Sequence, residues 1–173
     1  MANQEIFDEL LTAKQTILDL NAQVEELNDF IENASIPLHW VNGSGIIIWA
    51  NKVELELLGF TKEEYIGRHI SNFHADKEVI EDILSRLINK ETIKNYAARL
   101  KCKNGEIRHV LINSNVLWKE GEFIHTRCFT RDITELKKAE EDKVEQVVHL
   151  EEKNKKLQRE IDFLKNLRDS PRN

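Results

Sequence analysis

The sequence predicts an α+β domain, a five-stranded antiparallel sheet with short helices on one face, carried between two long helical arms. Three observations predict it. All six glycines (43, 45, 59, 67, 105 and 121) and Pro37 fall in the middle of the chain, where turns are needed, and neither end has a glycine. Both ends space apolar residues by alternating steps of three and four, the period of a supercoiled helix. In the middle, the apolar period changes from helical to two near Ile93. Charge divides the chain at similar points: residues 1–35 hold one base and eight acids, 36–131 fourteen bases and twelve acids, and 132–173 ten bases and eleven acids. The expected domains are an N-terminal coiled-coil helix over 1–33, the α+β domain over 34–132 and a C-terminal coiled-coil helix over 133–169.

With 173 residues the chain has room for about one domain and its extensions. Its formal charge of -6 would repel a phosphate backbone, so nucleic acid is not expected as a partner. Two cysteines, Cys102 and Cys128, are too few for a disulfide scaffold and fit a reducing compartment. Glu5, Asp8 and Glu9 stand where a secretion signal carries lysines, and no apolar run approaches the ~18 residues of a membrane span. A cytoplasmic protein without a membrane partner is expected.

In the first arm, Leu10, Ile17, Val24 and Ile31 occupy heptad position a, and Ile6, Ala13, Leu20 and Leu27 occupy d. Mainly β-branched a with Leu d favours a parallel two-stranded coil. Glu9 at g can pair with Lys14 at e of a partner, while most acids fall at b, c and f and face water. The second arm places Val147, Asn154 and Ile161 at a and Leu150, Leu157 and Leu164 at d, with Glu160 and Lys165 at g and e. A single a-position Asn fixes register and favours two strands at some cost in stability. Upstream the seam degrades: Ile133 and Leu136 lead to Glu140 and Lys143 in strict register, or to Val144 across a stutter. The alternative for either arm is an amphipathic helix folded back on its own domain.

In the middle, Leu38–Val41, the turn Gly43-Ser44-Gly45 and Ile46–Trp49 read as a hairpin. Asn51 starts a helix ending at Gly59, Thr61 and Glu64 form a capping box for a second ending at Gly67, and Asp76 opens a third with Ile80, Ile83, Leu84 and Leu87 on its stripe. Strands follow at Ile93–Cys102, Ile107–Trp118 and Phe123–Thr130, joined at Asn104-Gly105 and at Gly121. The expected order is two strands, three short helices and three strands. Asp132 can cap the outgoing helix while Glu135, three residues on, reaches back to the cap amide.

Asn42–Asn51 (NGSGIIIWAN), Leu57–Ile70 (LLGFTKEEYIGRHI), the KNG hairpin at Asn104 and, most specifically, FTRDITELKKAEE from Phe129 resemble a PAS sensor domain followed by its signalling helix, as found in sensor histidine kinases. The likeness spans about residues 30–142. It implies a PAS-like five-stranded sheet, and it implies that Asp132 and Thr134, with Glu135 beside them, couple the sheet to the helix. It also implies a cavity between sheet and helices that can hold a small ligand, here lined by some of Trp40, Ile48, Phe73, Leu84, Leu87, Tyr96, Ala98, Leu100, Val110 and Ile112. The alternative is that these side chains fill the core. Trp49 and Trp118 can instead cover the outer face of the sheet or meet a helical arm.

His69 and His74 flank the entry to the third helix, about where haem-binding PAS domains place an axial ligand; surface or hydrogen-bonded histidines are the simpler reading of both. A flavin adduct is not expected, since the resemblance would require a Cys in an N-C-R-F helix and both cysteines fall on strands. His109 and His125, on neighbouring strands, lack the third ligand of a metal site, and none is expected. No phosphate-cradling loop, nucleophile elbow or H-E-x-x-H occurs, and His149 lacks the context of a phosphoacceptor. The expected function is non-enzymatic: a parallel homodimer that senses a small ligand, a cofactor state or a partner and signals through the C-terminal coil to a downstream kinase or effector. A structural docking adaptor and the input piece of a sensor histidine kinase are the alternatives.

Overall fold

The computed structural model describes residues 2–169, with side chains over 6–166. In chain order they form α1 (Ala2–Glu32), β1 (Leu38–Val41), β2 (Ile47–Ala50), α2 (Lys52–Leu58), α3 (Lys62–Tyr65), a 3₁₀ turn (Ile70–Phe73), α4 (Lys77–Ile88), β3 (Ile93–Lys101), β4 (Ile107–Lys119), β5 (Glu122–Asp132) and α5 (Thr134–Asp169). The five strands make one sheet in the order β2-β1-β5-β4-β3, every neighbouring pair antiparallel. Two compact units divide after Asp132.

Local signals start and stop the short helices. The Asn51 side chain accepts from the Glu54 backbone N–H at 3.0 Å, and Gly59 closes α2 in the left-handed region. The Glu64 carboxylate accepts from the Thr61 N–H at 3.0 Å, completing the capping box of α3. Asn51 does more than cap. Fully buried, it also accepts from the Leu38 N–H and donates to the Ile36 carbonyl at 2.9 Å, so it ties the segment leaving α1 to β1 and α2. Asp76 stands at the cap position of α4, but its carboxylate leaves the helix end and takes Arg99 Nε at 2.8 Å. The 3₁₀ turn after His69 is an element that periodicity did not reveal, since its single turn is too short to carry one.

Alternation along the strands sets the two faces of the sheet. Val110, Ile112, Ser114 and Val116 of β4, Thr126, Cys128 and Thr130 of β5, and His39 and Val41 of β1 point to the helix-covered side and are buried. They meet Leu58, Tyr65, Ile70, Phe73, Ile80, Ile83 and Leu87 from the helical segments in one core. The opposite side carries Trp40, stacked on His125 with ring centroids 4.4 Å apart and in contact with Trp49 at 4.7 Å. Trp40 and Trp49 line a surface groove with Asn28, Glu32 and neighbouring residues at the end of α1. Trp118 packs edge-to-face on Phe123 beneath Lys90.

In the second unit, α5 runs 36 residues without a break. Asp132 belongs to β5, and the Ile133 carbonyl accepts from the Lys137 N–H at 2.9 Å. Within β5, Asp132 is paired opposite Val110 of β4. Glu135 faces Lys138 at 3.1 Å along the helix surface.

Candidate functional site

The core holds a polar constellation that three elements assemble. Glu54 lies in the first turn of α2, where the Asn51 cap sets the helix phase and turns its side chain inward together with Leu58. One carboxylate oxygen, Oε1, faces His39 Nδ1 of β1 at 2.9 Å and accepts from the Tyr65 hydroxyl of α3 at 3.0 Å. These partners offset part of the lost hydration of a side chain with no exposure, while its other oxygen, Oε2, is buried without a hydrogen-bond partner. Cys128 is the register partner of His39 on the adjacent strand, and both side chains point inward, so the thiol lies against the same imidazole. Burial alone would lower the pKa of His39, but the sulfur of Cys128 and the carboxylate of Glu54 outweigh it and hold that pKa well above the ordinary imidazole value. Burial, with Glu54 second, raises that of Tyr65 well above the ordinary phenol value.

Beside this constellation is a cavity of about 20 Å³ walled by His39, His74, Ile112, Ser114, Thr126, Cys128 and apolar side chains of α4. It has room for one molecule of water's size. His74 Nδ1 and Ser114 Oγ are buried in its wall without a hydrogen-bond partner. Burial, reinforced by repulsion from His39, lowers the pKa of His74 to about 4.

The ten side chains expected to line a cavity separate into three groups. Leu84, Leu87 and Ile112 line this one. Phe73, Ala98, Leu100 and Val110 are buried in the packed core, and Tyr96 packs at its margin with its hydroxyl donating to Asp82 at 2.7 Å. Trp40 and Ile48 do not join them: the parity of β1 turns His39 and Val41 inward, which sends Trp40 to the opposite face, and Ile48 is exposed. Sequence reasoning missed Glu54, Tyr65, His39, Cys128 and Ser114. The available signal was the placement of Glu54 four residues before Leu58 on the inward stripe of a capped helix.

His69 caps the 3₁₀ turn, its Nδ1 2.7 Å from Ser71 Oγ, and its ring lies so close to Gly45 that a Cβ there would collide with it. His74 reaches the cavity, whose volume of about 20 Å³ is far below the ~300 Å³ at which ordinary ligand pockets begin. His109 pairs with Arg99 while His125 pairs with Leu117, eight residues apart in the register, so the two histidines do not meet. Among the described residues no group of three or more His, Cys, Asp and Glu is arranged to hold a metal ion.

An open groove of about 790 Å³ runs between the segment leaving α1, α2 and the end of β5, with Ile36, Phe129 and Asp132 in its walls. Arg108 Nη1 lies 3.5 Å from Asp132 Oδ2. On both long helices the heptad seam is bare except at Ile31, which is half-buried in the groove beside Trp40 and Trp49. Leu10, Ile17, Leu20, Val24 and Leu27 of α1, and Val147, Leu150, Leu157, Ile161 and Leu164 of α5, are all exposed in the single chain. Asn154 is exposed among them. Among the described residues no helix is long and apolar enough to cross a membrane.

A family model described as "PAS domain" matches residues 33–135, more than half of the chain. The chain belongs to the PAS domain family. This PAS chain is 30% identical to phytochrome B of Sorghum bicolor over 127 residues, 69% of its own length and 10% of that protein's. It is 26% identical to sporulation kinase C of Bacillus subtilis (strain 168) over 135 residues, 77% of its length and 32% of the kinase's. The chain thus spans about a third or less of these relatives. Among solved structures, the PAS domain of an HTR-like protein from Haloarcula marismortui superimposes with a TM-score of 0.61 at 24% identity, covering 69% of this chain and 99% of that one. A domain of a sensory box sensor histidine kinase/response regulator from Geobacter sulfurreducens gives 0.56 at 17%, covering 65% and 96%. These neighbours share the fold of this chain over the shares given, and PAS domains are in general sensory rather than catalytic.

Proposed function

We propose that this PAS chain is a parallel homodimeric signalling module, in which an event in the core of the sheet biases α5 through Asp132, Thr134 and Glu135 and so reaches a downstream kinase or effector in the cytoplasm. One observation carries this reading: the same bare three-four apolar seam lies on both helices that flank the PAS sheet, as two copies side by side require. The stretch around Glu140 and Lys143, where the seam is polar, is the part able to repack between two registers. Coupling of ~1–3 kcal/mol between core and coil suffices for such a switch. The small core space favours an input of water's dimensions, a chemical change or a protein partner over a sizeable organic ligand.

Sedimentation equilibrium at micromolar concentration tests the assembly, and Leu150→Cys tests its direction. A dimer whose introduced thiols join readily under mild oxidation is expected, because facing d positions meet only in parallel, in-register helices. A monomer, or a dimer whose introduced thiols do not join, would overturn the reading. The likeness to part of sporulation kinase C supports a second reading, in which the same module is the input piece of a longer kinase.

A further inference from the structure

A thiol, an imidazole and a carboxylate lie together inside the core of this domain. Here β5 supplies Cys128, β1 supplies His39 directly opposite it in the register, and α2 supplies Glu54, with 2.9 Å between His39 Nδ1 and Glu54 Oε1. Burial of such a group is costly unless each member is satisfied. Yet the adjacent cavity wall also holds two buried polar atoms without a partner, His74 Nδ1 and Ser114 Oγ. Both are more than nine-tenths buried and both residues line the space that Cys128 and His39 line. One small molecule carrying a donor and an acceptor satisfies them, and the volume of about 20 Å³ restricts it to water's order of size.

We propose that this cavity admits hydrogen peroxide and that Cys128 is its oxidation site, with His39 as the proton-transfer group and Glu54 as the residue that positions it. The carboxylate takes ring nitrogen Nδ1 at 2.9 Å, and the sulfur lies against the same imidazole. The thiol gives its proton to the imidazole, and the sulfur attacks one peroxide oxygen. An S–O bond forms as the O–O bond breaks, sulfur loses two electrons to become sulfenic acid, and the departing hydroxide takes the imidazole proton to leave as water. His39 is predisposed to carry that proton: although burial works against it, Cys128 and Glu54 keep its pKa well above the ordinary imidazole value. Cys102, the other thiol, instead donates to the Leu57 carbonyl at 3.7 Å and lies against Arg108. The oxidised sulfur would break the His39–Cys128 contact four residues before the end of β5. The inference deepens the sensor reading by giving its input a chemistry, but its test reads Cys128 alone and is indifferent to whether the arms dimerise.

The purified Cys102→Ser chain is exposed to hydrogen peroxide with dimedone present, and the adduct is located by mass spectrometry and timed. Expected is an adduct on Cys128 that forms in the folded protein, at a rate flat in low urea and about tenfold or more above that of His39→Gln. Glu54→Gln, which keeps the shape of the side chain, is expected to slow it as well. Cumene hydroperoxide, too large for the cavity, is expected to react at least tenfold more slowly than hydrogen peroxide, a comparison that needs no further variant. The proposal is overturned if Cys128 is unreactive, if its labelling climbs with urea in step with unfolding, if both peroxides react alike, or if a folded His39→Gln variant reacts as fast.

Discussion

At the scale of single residues, His74 and His39 make opposite demands on the proton. His74 is depressed by burial first and by His39 second, to about 4, so the fold refuses a proton that the unfolded chain accepts below an ordinary histidine value near ~6.5. Its contribution to stability is therefore complete above pH ~6.5 and is lost as the pH falls toward 4. His39 has the opposite sign: raised in the fold, it stabilises below ~6.5 and loses that contribution as the pH rises through its folded value. The groups facing His74, namely His39, Glu54, Asp76 and Lys101, remain when His74 alone is replaced. Between pH 7 and 5 the native chain should lose about 2 kcal/mol more stability than His74→Gln, read as urea midpoints at the two pH values. Equal losses would show that His74 titrates in the fold as in the unfolded chain. None of this was legible in the sequence. A histidine at position 74 reads the same whether its ring meets solvent or an apolar wall, and the contacts that decide it come from β1 and α2.

At the scale of elements, the boundaries written by local chemistry were legible and those written by distant contacts were not. Asn51, Gly59 and the pair Thr61 and Glu64 each act within one helical turn, so their spacing was enough to place α2 and α3. Asp76 carries the same signature, but Arg99, twenty-three residues away on β3, competes for its carboxylate and takes it. The run Leu38–Val41 gives no local reason to turn His39 inward rather than Trp40. That choice follows from Glu54 and Cys128, which wait on the inner side with an acid and a thiol. Asn51 combines both kinds of information. As a cap its loss should cost ~1 kcal/mol, and leaving the Leu38 N–H and Ile36 carbonyl without it adds ~1–3 kcal/mol for the buried groups. Asn51→Ala is thus expected to destabilise the domain by about 3 kcal/mol in urea unfolding. Asn51→Asp, which keeps the acceptor for Glu54 and Leu38 but not the donor for Ile36, should fall between. A loss under ~1 kcal/mol for the alanine variant would reduce Asn51 to a cap and nothing more.

At the scale of the whole molecule, the family match accounts for residues 33–135 and leaves both long helices to be explained by their own sequences. Helices of 31 and 36 residues draw most of their stability from packing an apolar face, and in one chain those faces meet water. In the proposed homodimer a second copy would cover both arms at once, and Asn154 is the residue at which that proposal can be tested. As the lone polar a-position residue of its zipper it is expected to trade stability for register. Asn154→Leu should therefore raise the melting temperature of the chain by ~2–4 °C for each ~1 kcal/mol gained. It should also relax the assembly, so that sedimentation finds species beyond the dimer. For native chain and variant alike, the melting temperature should climb with protein concentration, as it does when folding and association are one equilibrium. If Asn154→Leu changes neither melting nor association state, position 154 does not face a partner, and the zipper register places the wrong stripe of α5 at the interface.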